Sequence, residues 1–221
     1  MKQNRKVRDL AVRALFVALI FVLGMTPLGM LNLPFVSITT LHIPVIIGAV
    51  VFGVQSGALL GFFFGIVSLI RCFTTPDTIA AIVLGTGSED GFALRNFFMV
   101  VLVLIVPRVL VGVVAALLSK GLRRFDGSMT WSTSVASVAA SLTNSVLVLG
   151  ILLLMAFSEV SGVLGETGAG AVTLALFGGS LLNIVFEAIF AAVLCTAVCK
   201  ALSAYIARHE GKKKEKTEPE E

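Results

Sequence analysis

Apolar residues along this chain gather in long runs and do not alternate with polar ones. Short alternating stretches would mark a transmembrane barrel. Runs that reach or approach roughly 20 apolar residues mark helices able to cross a bilayer core. The runs predict six spans, over about 10–30, 35–54, 56–74, 96–119, 131–157 and 174–206. The expected fold class is an all-α membrane protein with six transmembrane helices. Residues 1–209 form the membrane domain. Residues 210–221 close the charged, aromatic-poor ending "EGKKKEKTEPEE" and are expected to be a disordered cytoplasmic tail. The longest connection, "TTPDTIAAIVLGTGSEDGFALRN", lies between the third and fourth spans, and no internal repeat stands out.

Composition agrees with the pattern. The chain has 221 residues, of which 57% are hydrophobic and 14% charged. A soluble domain of this size cannot bury so much apolar surface. The opening "MKQNRKVRDLAVRALFVALIFVLG" has the basic-then-apolar order of a secretory signal. Its apolar part is long and no small-x-small cleavage site follows, so it is expected to stay as the first helix.

Charge then sets the orientation. With both termini in the cytoplasm, 14 of the 17 Lys and Arg residues fall on inside segments. Those segments hold Arg5 and Arg8 at the start, Lys120, Arg123 and Arg124 between spans four and five, and the lysines of the tail. Outside segments carry Asp77, Glu89, Asp90, Glu159 and Glu166. This asymmetry is the positive-inside pattern of a multi-pass cell-membrane protein. It also explains the net charge of +4 without nucleic-acid binding, because the basic residues flank spans and form no soluble patch.

Against this background one run is odd. In "LIVPRVLVG" the permanently charged Arg108 sits with about a dozen mostly apolar residues on each side. Counted from Asn96, it lies about 18 Å into span four at 1.5 Å per residue. Asn144 on span five reaches a similar depth from the other side. Asn183 and Glu187 on span six lie one turn apart on one face. A charge at the bilayer centre is costly unless it is paired or faces a cavity. Two arrangements satisfy this rule. One is a structural Arg108–Glu187 ion pair. The other is a polar pocket for a small solute, in which the planar guanidinium takes an anionic group. His42, in "ITTLHIPVIIG", is either a pocket rim residue or a packing histidine, with Pro44 disturbing the helix beside it.

Small residues make a second pattern. Ala14 and Ala18 lie four apart on span one, and Gly57, Gly61 and Gly65 repeat that spacing on span three. Such stripes let helix backbones approach closely in lipid. Spacing alone favours contacts within the chain over a docking face for another protein. Cys195 and Cys199 are one turn apart with no His or carboxylate to complete a metal site, so they read as packing residues. No metal and no cofactor is expected. The sequence has no G-x-x-x-x-G-K-S/T, no H-E-x-x-H and no G-x-S-x-G, which disfavours an enzyme and an ATP-binding loop of its own.

Over residues 8–208 the chain resembles the substrate-binding (S) components of energy-coupling factor (ECF) vitamin transporters. The resemblance rests on "RALFVALIFVLG", "ITTLHIPVIIGAVVFGVQSGALLGFFFGIVSLI", "PRVLVG", "SLTNSVLVLG" and "NIVFEAIFAAVL", taken in that order. It implies a subunit that captures a vitamin-like small molecule at the bacterial-type cell membrane. It also implies assembly with a transmembrane coupling protein and two ABC-type ATPases, which would perform the ATP hydrolysis. Ala14 and Ala18 would then face the coupling protein. The wording of spans two to six is most similar to pantothenate-type members. On that resemblance Arg108 would take the ligand's carboxylate, with Asn144, Asn183 and Glu187 on its polar groups, and His42 is kept as a further candidate. Arg71 and Arg95, beside the long connection, are rival carboxylate partners. Two other readings stay open at this point: a stand-alone secondary transporter or channel using Arg108 and Glu187 as an ion-coupled relay, and a membrane scaffold without a ligand.

Overall fold

The structure, a computed structural model, describes residues 2–32, 37–75, 94–125, 130–155, 157–165 and 168–215. Among them are seven α-helices: α1 (Lys2–Met25), α2 (His42–Phe52), α3 (Val54–Thr74), α4 (Leu94–Leu122), α5 (Thr130–Met155), α6 (Phe157–Leu164) and α7 (Ala169–Glu215). The long connection over 76–93 lies outside the described residues.

Four helical segments are long and apolar enough to cross a membrane: Val54–Thr74, Phe97–Leu122, Thr130–Met155 and Ala169–Leu202. They match the third to sixth expected spans. The first two expected spans differ. The helix expected over 10–30 begins at Lys2 and ends at Met25. Its first half carries the basic residues, and Pro27, which has no N–H to continue the ladder, opens a 3-10 turn over Pro27–Gly29. The helix expected over 35–54 shrinks to the 11 residues of α2. At 1.5 Å per residue that is about 16 Å, roughly half of a bilayer core. The chain before α2 is instead a small antiparallel ribbon, β1 (Met30–Asn32) with β2 (Ser37–Thr39), in which Met30 pairs with Thr39.

Local chemistry sets both ends of α2. Pro44 falls in the first turn, where the backbone N–H groups have no partner within the helix, so its missing donor costs nothing there. At the other end Gly53 adopts φ 85° and ψ −172°, a region open almost only to glycine. One residue therefore joins α2 to α3, with the Gly53 N–H returning to the Ala49 carbonyl at 2.9 Å.

Short as it is, α2 is closely enclosed. His42 and the run Pro44–Val50 are buried, and α2 packs on α1, α3, α4, α5 and α7. The surrounding helices close a sequence of neighbours, α1 on α3, α3 on α4, α4 on α5 and α5 on α7. Glycines make the α3–α4 contact tight. A Cβ at Gly61 would meet the Arg108 carbonyl, and one at Gly65 would stand 3.0 Å from the Ile105 Cα. Gly57 and Gly112 meet backbone to backbone. The glycine stripe of span three thus serves packing within the chain, with Gly112 as the partner that its spacing did not reveal.

Apolar side chains form two clusters. The larger gathers Leu60 and Phe64 of α3, Val111 and Ala115 of α4, Ala140 of α5 and Ala191 and Cys195 of α7 around α2. The other joins Cys72, Val100, Val103 and Leu104 with Val148, Leu152, Val160 and Val172. On α4 the clusters leave a gap between residues 104 and 111, on α5 between 140 and 148, and on α7 between 172 and 191. Arg108, Asn144, Asn183 and Glu187 all fall in those gaps.

Candidate substrate site

Several polar side chains stand in the stretches between the apolar clusters, and the local contacts of some of them are visible. Arg108 follows Pro107, which stands inside α4. Proline has no N–H for the carbonyl four residues back, that of Val103. The Arg108 Nη1 donates to that carbonyl oxygen at 2.9 Å. Its guanidinium carbon also stands 5.6 Å from the centre of the Phe64 ring, a cation–π distance. The charge that looked misplaced in the apolar run repairs a defect one residue away.

Two other arginines do comparable work. Arg71 Nη1 donates to the Gly24 carbonyl in the last turn of α1 at 3.0 Å, and Arg123 Nη2 to the Val50 carbonyl in the last turn of α2 at 2.9 Å. Helix C-termini leave carbonyls unsatisfied and carry partial negative charge, so both contacts are favourable. Arg71 thus caps the end of α1 through one guanidinium nitrogen. The side chain of Arg95 lies outside the described residues.

Glu187 turns toward α2 and its ribbon. Its residue exposure is 8%, and its Oε1 accepts the Thr39 N–H at 2.8 Å. It also interacts electrostatically with His42. The carboxylate thus engages the ribbon and α2. His42, the first residue of α2, is 2% exposed, and its Nε2 finds no hydrogen-bond partner among the described residues. His42 is thus an interior residue. Asn183 is half-buried one turn before Glu187. Asn144 is half-buried too, with its Oδ1 enclosed and without a hydrogen-bond partner among the described residues.

Two participants escaped sequence reasoning. Ser141, three residues before Asn144, has a buried hydroxyl in the same unsatisfied condition. Its signal was the run of Ser134, Ser137 and Ser141 at helical spacing. Thr39 takes part through its backbone N–H, for which a sequence letter gives no signal. Nearer the Thr130 end of α5, the Ser134 and Ser137 hydroxyls have partners. Ser134 and Thr196 share a 2.7 Å hydroxyl contact, and the Ser137 hydroxyl donates to the Thr133 carbonyl at 2.7 Å. Cys195 lies with its Sγ 3.9 Å from the Ile43 carbonyl oxygen. Among the described residues no group of three His, Cys, Asp or Glu is placed to hold a metal ion.

What these side chains can do chemically follows from this inventory. They supply a cation on α4, an anion on α7 and buried acceptors on α2 and α5, between apolar clusters. Such a set suits a small molecule with separated polar groups of different kinds. On the outer surface, Ala14 and Ala18 are exposed on α1, flanked by Leu10, Leu15 and Val22 at more than half exposure.

Comparison with known proteins identifies the family. The family model described as "ECF transporter, substrate-specific component" matches residues 8–203. The chain is also similar to the pantothenic acid transporter PanT of Lactococcus lactis subsp. cremoris, at 30% identity over 171 residues, covering 75% of this chain and 77% of that protein. With its several membrane-crossing helices and a match over most of its length, this multi-pass membrane protein belongs to the ECF transporter substrate-specific component family.

Proposed function

We propose that this S component captures pantothenate, or a small carboxylate of the same build, for an ATP-driven importer. The polar layer carries the reading: Arg108, Asn144, Asn183 and Glu187 come from three helices yet share the gap between two apolar clusters. Pantothenate has a carboxylate for a guanidinium and hydroxyl and amide groups for asparagine and carboxylate side chains. The similarity to PanT points the same way. Six crossings with both termini cytoplasmic complete the proposal, supported by the distribution of Lys and Arg. In it α1 docks a transmembrane coupling protein through Ala14 and Ala18, and two ABC-type ATPases supply the energy.

Mass spectrometry of the small molecule released from purified, denatured protein tests the substrate. Pantothenate is the expected species. A different vitamin overturns the substrate assignment. No released molecule, together with no thermal protection by added pantothenate, overturns capture itself. Uptake that depends on a proton gradient and not on the ATPases would favour a stand-alone carrier.

A further inference from the structure

Two buried polar atoms of the layer have complementary surroundings. Glu187 is 8% exposed and commits Oε1 to the Thr39 N–H, which leaves its second oxygen as an acceptor. His42 is 2% exposed and interacts electrostatically with that carboxylate, while its Nε2 finds no hydrogen-bond partner among the described residues. A buried ring nitrogen without a partner carries a desolvation cost that a hydrogen-bonding ligand would remove. The carboxylate beside it sets the kind of group that can do so. An uncharged hydroxyl can donate to Glu187 and meet Nε2, whereas a second anion would face a buried negative charge.

We infer that His42 and Glu187 form the hydroxyl-reading end of the ligand site, selecting a solute whose far end is an uncharged hydroxyl and rejecting one that carries a phosphate there. The inference rests on the pantothenate reading and adds to it a direction of binding and a selectivity. The hydroxyl-bearing end lies between α2 and α7. The phosphorylated form of the vitamin is excluded by the same carboxylate that holds the free form.

The test is a ligand–residue cycle by titration calorimetry on the full-length protein in nanodiscs. The probes are pantothenate, an analogue lacking the terminal hydroxyl, and phosphopantothenate. The variants are Glu187→Gln and His42→Gln. Glutamine at 187 keeps an oxygen for the Thr39 N–H, so the local fold is retained. A hydrogen bond to a charged group predicts that the unaltered protein binds the deoxy analogue on the order of tenfold to a hundredfold more weakly than pantothenate. In Glu187→Gln that ratio is expected to shrink to a few-fold, and the discrimination against phosphopantothenate to narrow with it. If Glu187→Gln does not fold, His42→Gln carries the same cycle. Ratios unchanged in a folded variant overturn this inference and leave the proposed function standing. Failure of the unaltered protein to bind pantothenate overturns both.

Discussion

Arg108 donates to the carbonyl of Val103, the acceptor that Pro107 leaves without its helical N–H. The relationship makes a prediction that separates structure from ligand binding. Arg108→Ala should cost about 1.5–3 kcal/mol of stability, the range for a hydrogen bond from a charged donor. With Pro107→Ala in place, residue 107 regains an N–H for Val103, and the same Arg108→Ala change should cost much less. Thermal unfolding of the two single variants and the double variant measures this. Equal costs in both backgrounds would mean the two residues are not linked. The ligand role is read separately: folded Arg108→Ala that binds pantothenate with unaltered affinity would remove Arg108 from the site.

The seam between α3 and α4 is closed by backbone. A Cβ at Gly112 would run into Gly57, so Gly112→Ala should destabilise the protein by about 1–3 kcal/mol through overpacking. Gly150, also in a helix, has nothing within 4 Å of its would-be Cβ. Gly150→Ala should be neutral or raise stability by about 0.5–1 kcal/mol, the usual gain for alanine over glycine in a helix. Melting temperatures of the two variants side by side are the measurement. Equal shifts would show that the seam is not close-packed.

Ala14 and Ala18 occupy an exposed strip of α1, not the α1–α3 contact. Ala14→Trp or Ala18→Trp should therefore leave the fold and pantothenate binding intact while abolishing uptake in cells, by obstructing the coupling protein. Loss of binding along with uptake would place these residues in the fold and not at a docking face.

Much of the architecture could be read from the order of letters. Apolar runs located α3, α4, α5 and α7, because a helix that crosses a membrane must be apolar over most of its length. Depth counting along those helices proposed one layer for Arg108, Asn144, Asn183 and Glu187. It could not show which way each side chain turns. A run such as "FVSITTLHIPVIIGAVV" reports that its residues are buried, not that they form one helix, so the ribbon and the shortness of α2 were hidden. Whether His42 was a rim or a packing residue stayed open because counting began from a full-length span. The partners of Glu187 and Arg108 include the N–H of Thr39 and the carbonyl of Val103. Every residue carries these backbone groups, and only the fold shows which are unsatisfied. The glycine stripe of α3 was visible, but its use within the chain became clear only when Gly112 came opposite.

The seam at Gly57, Gly61 and Gly65 has a mechanical consequence. Main chain laid on main chain has no rotamers to exchange, so α3 and α4 behave as a single plank. In the proposed site, any breathing that admits a solute would then have to come from elements other than this pair. A candidate is the ribbon, which the Thr39 N–H joins to α7 through Glu187.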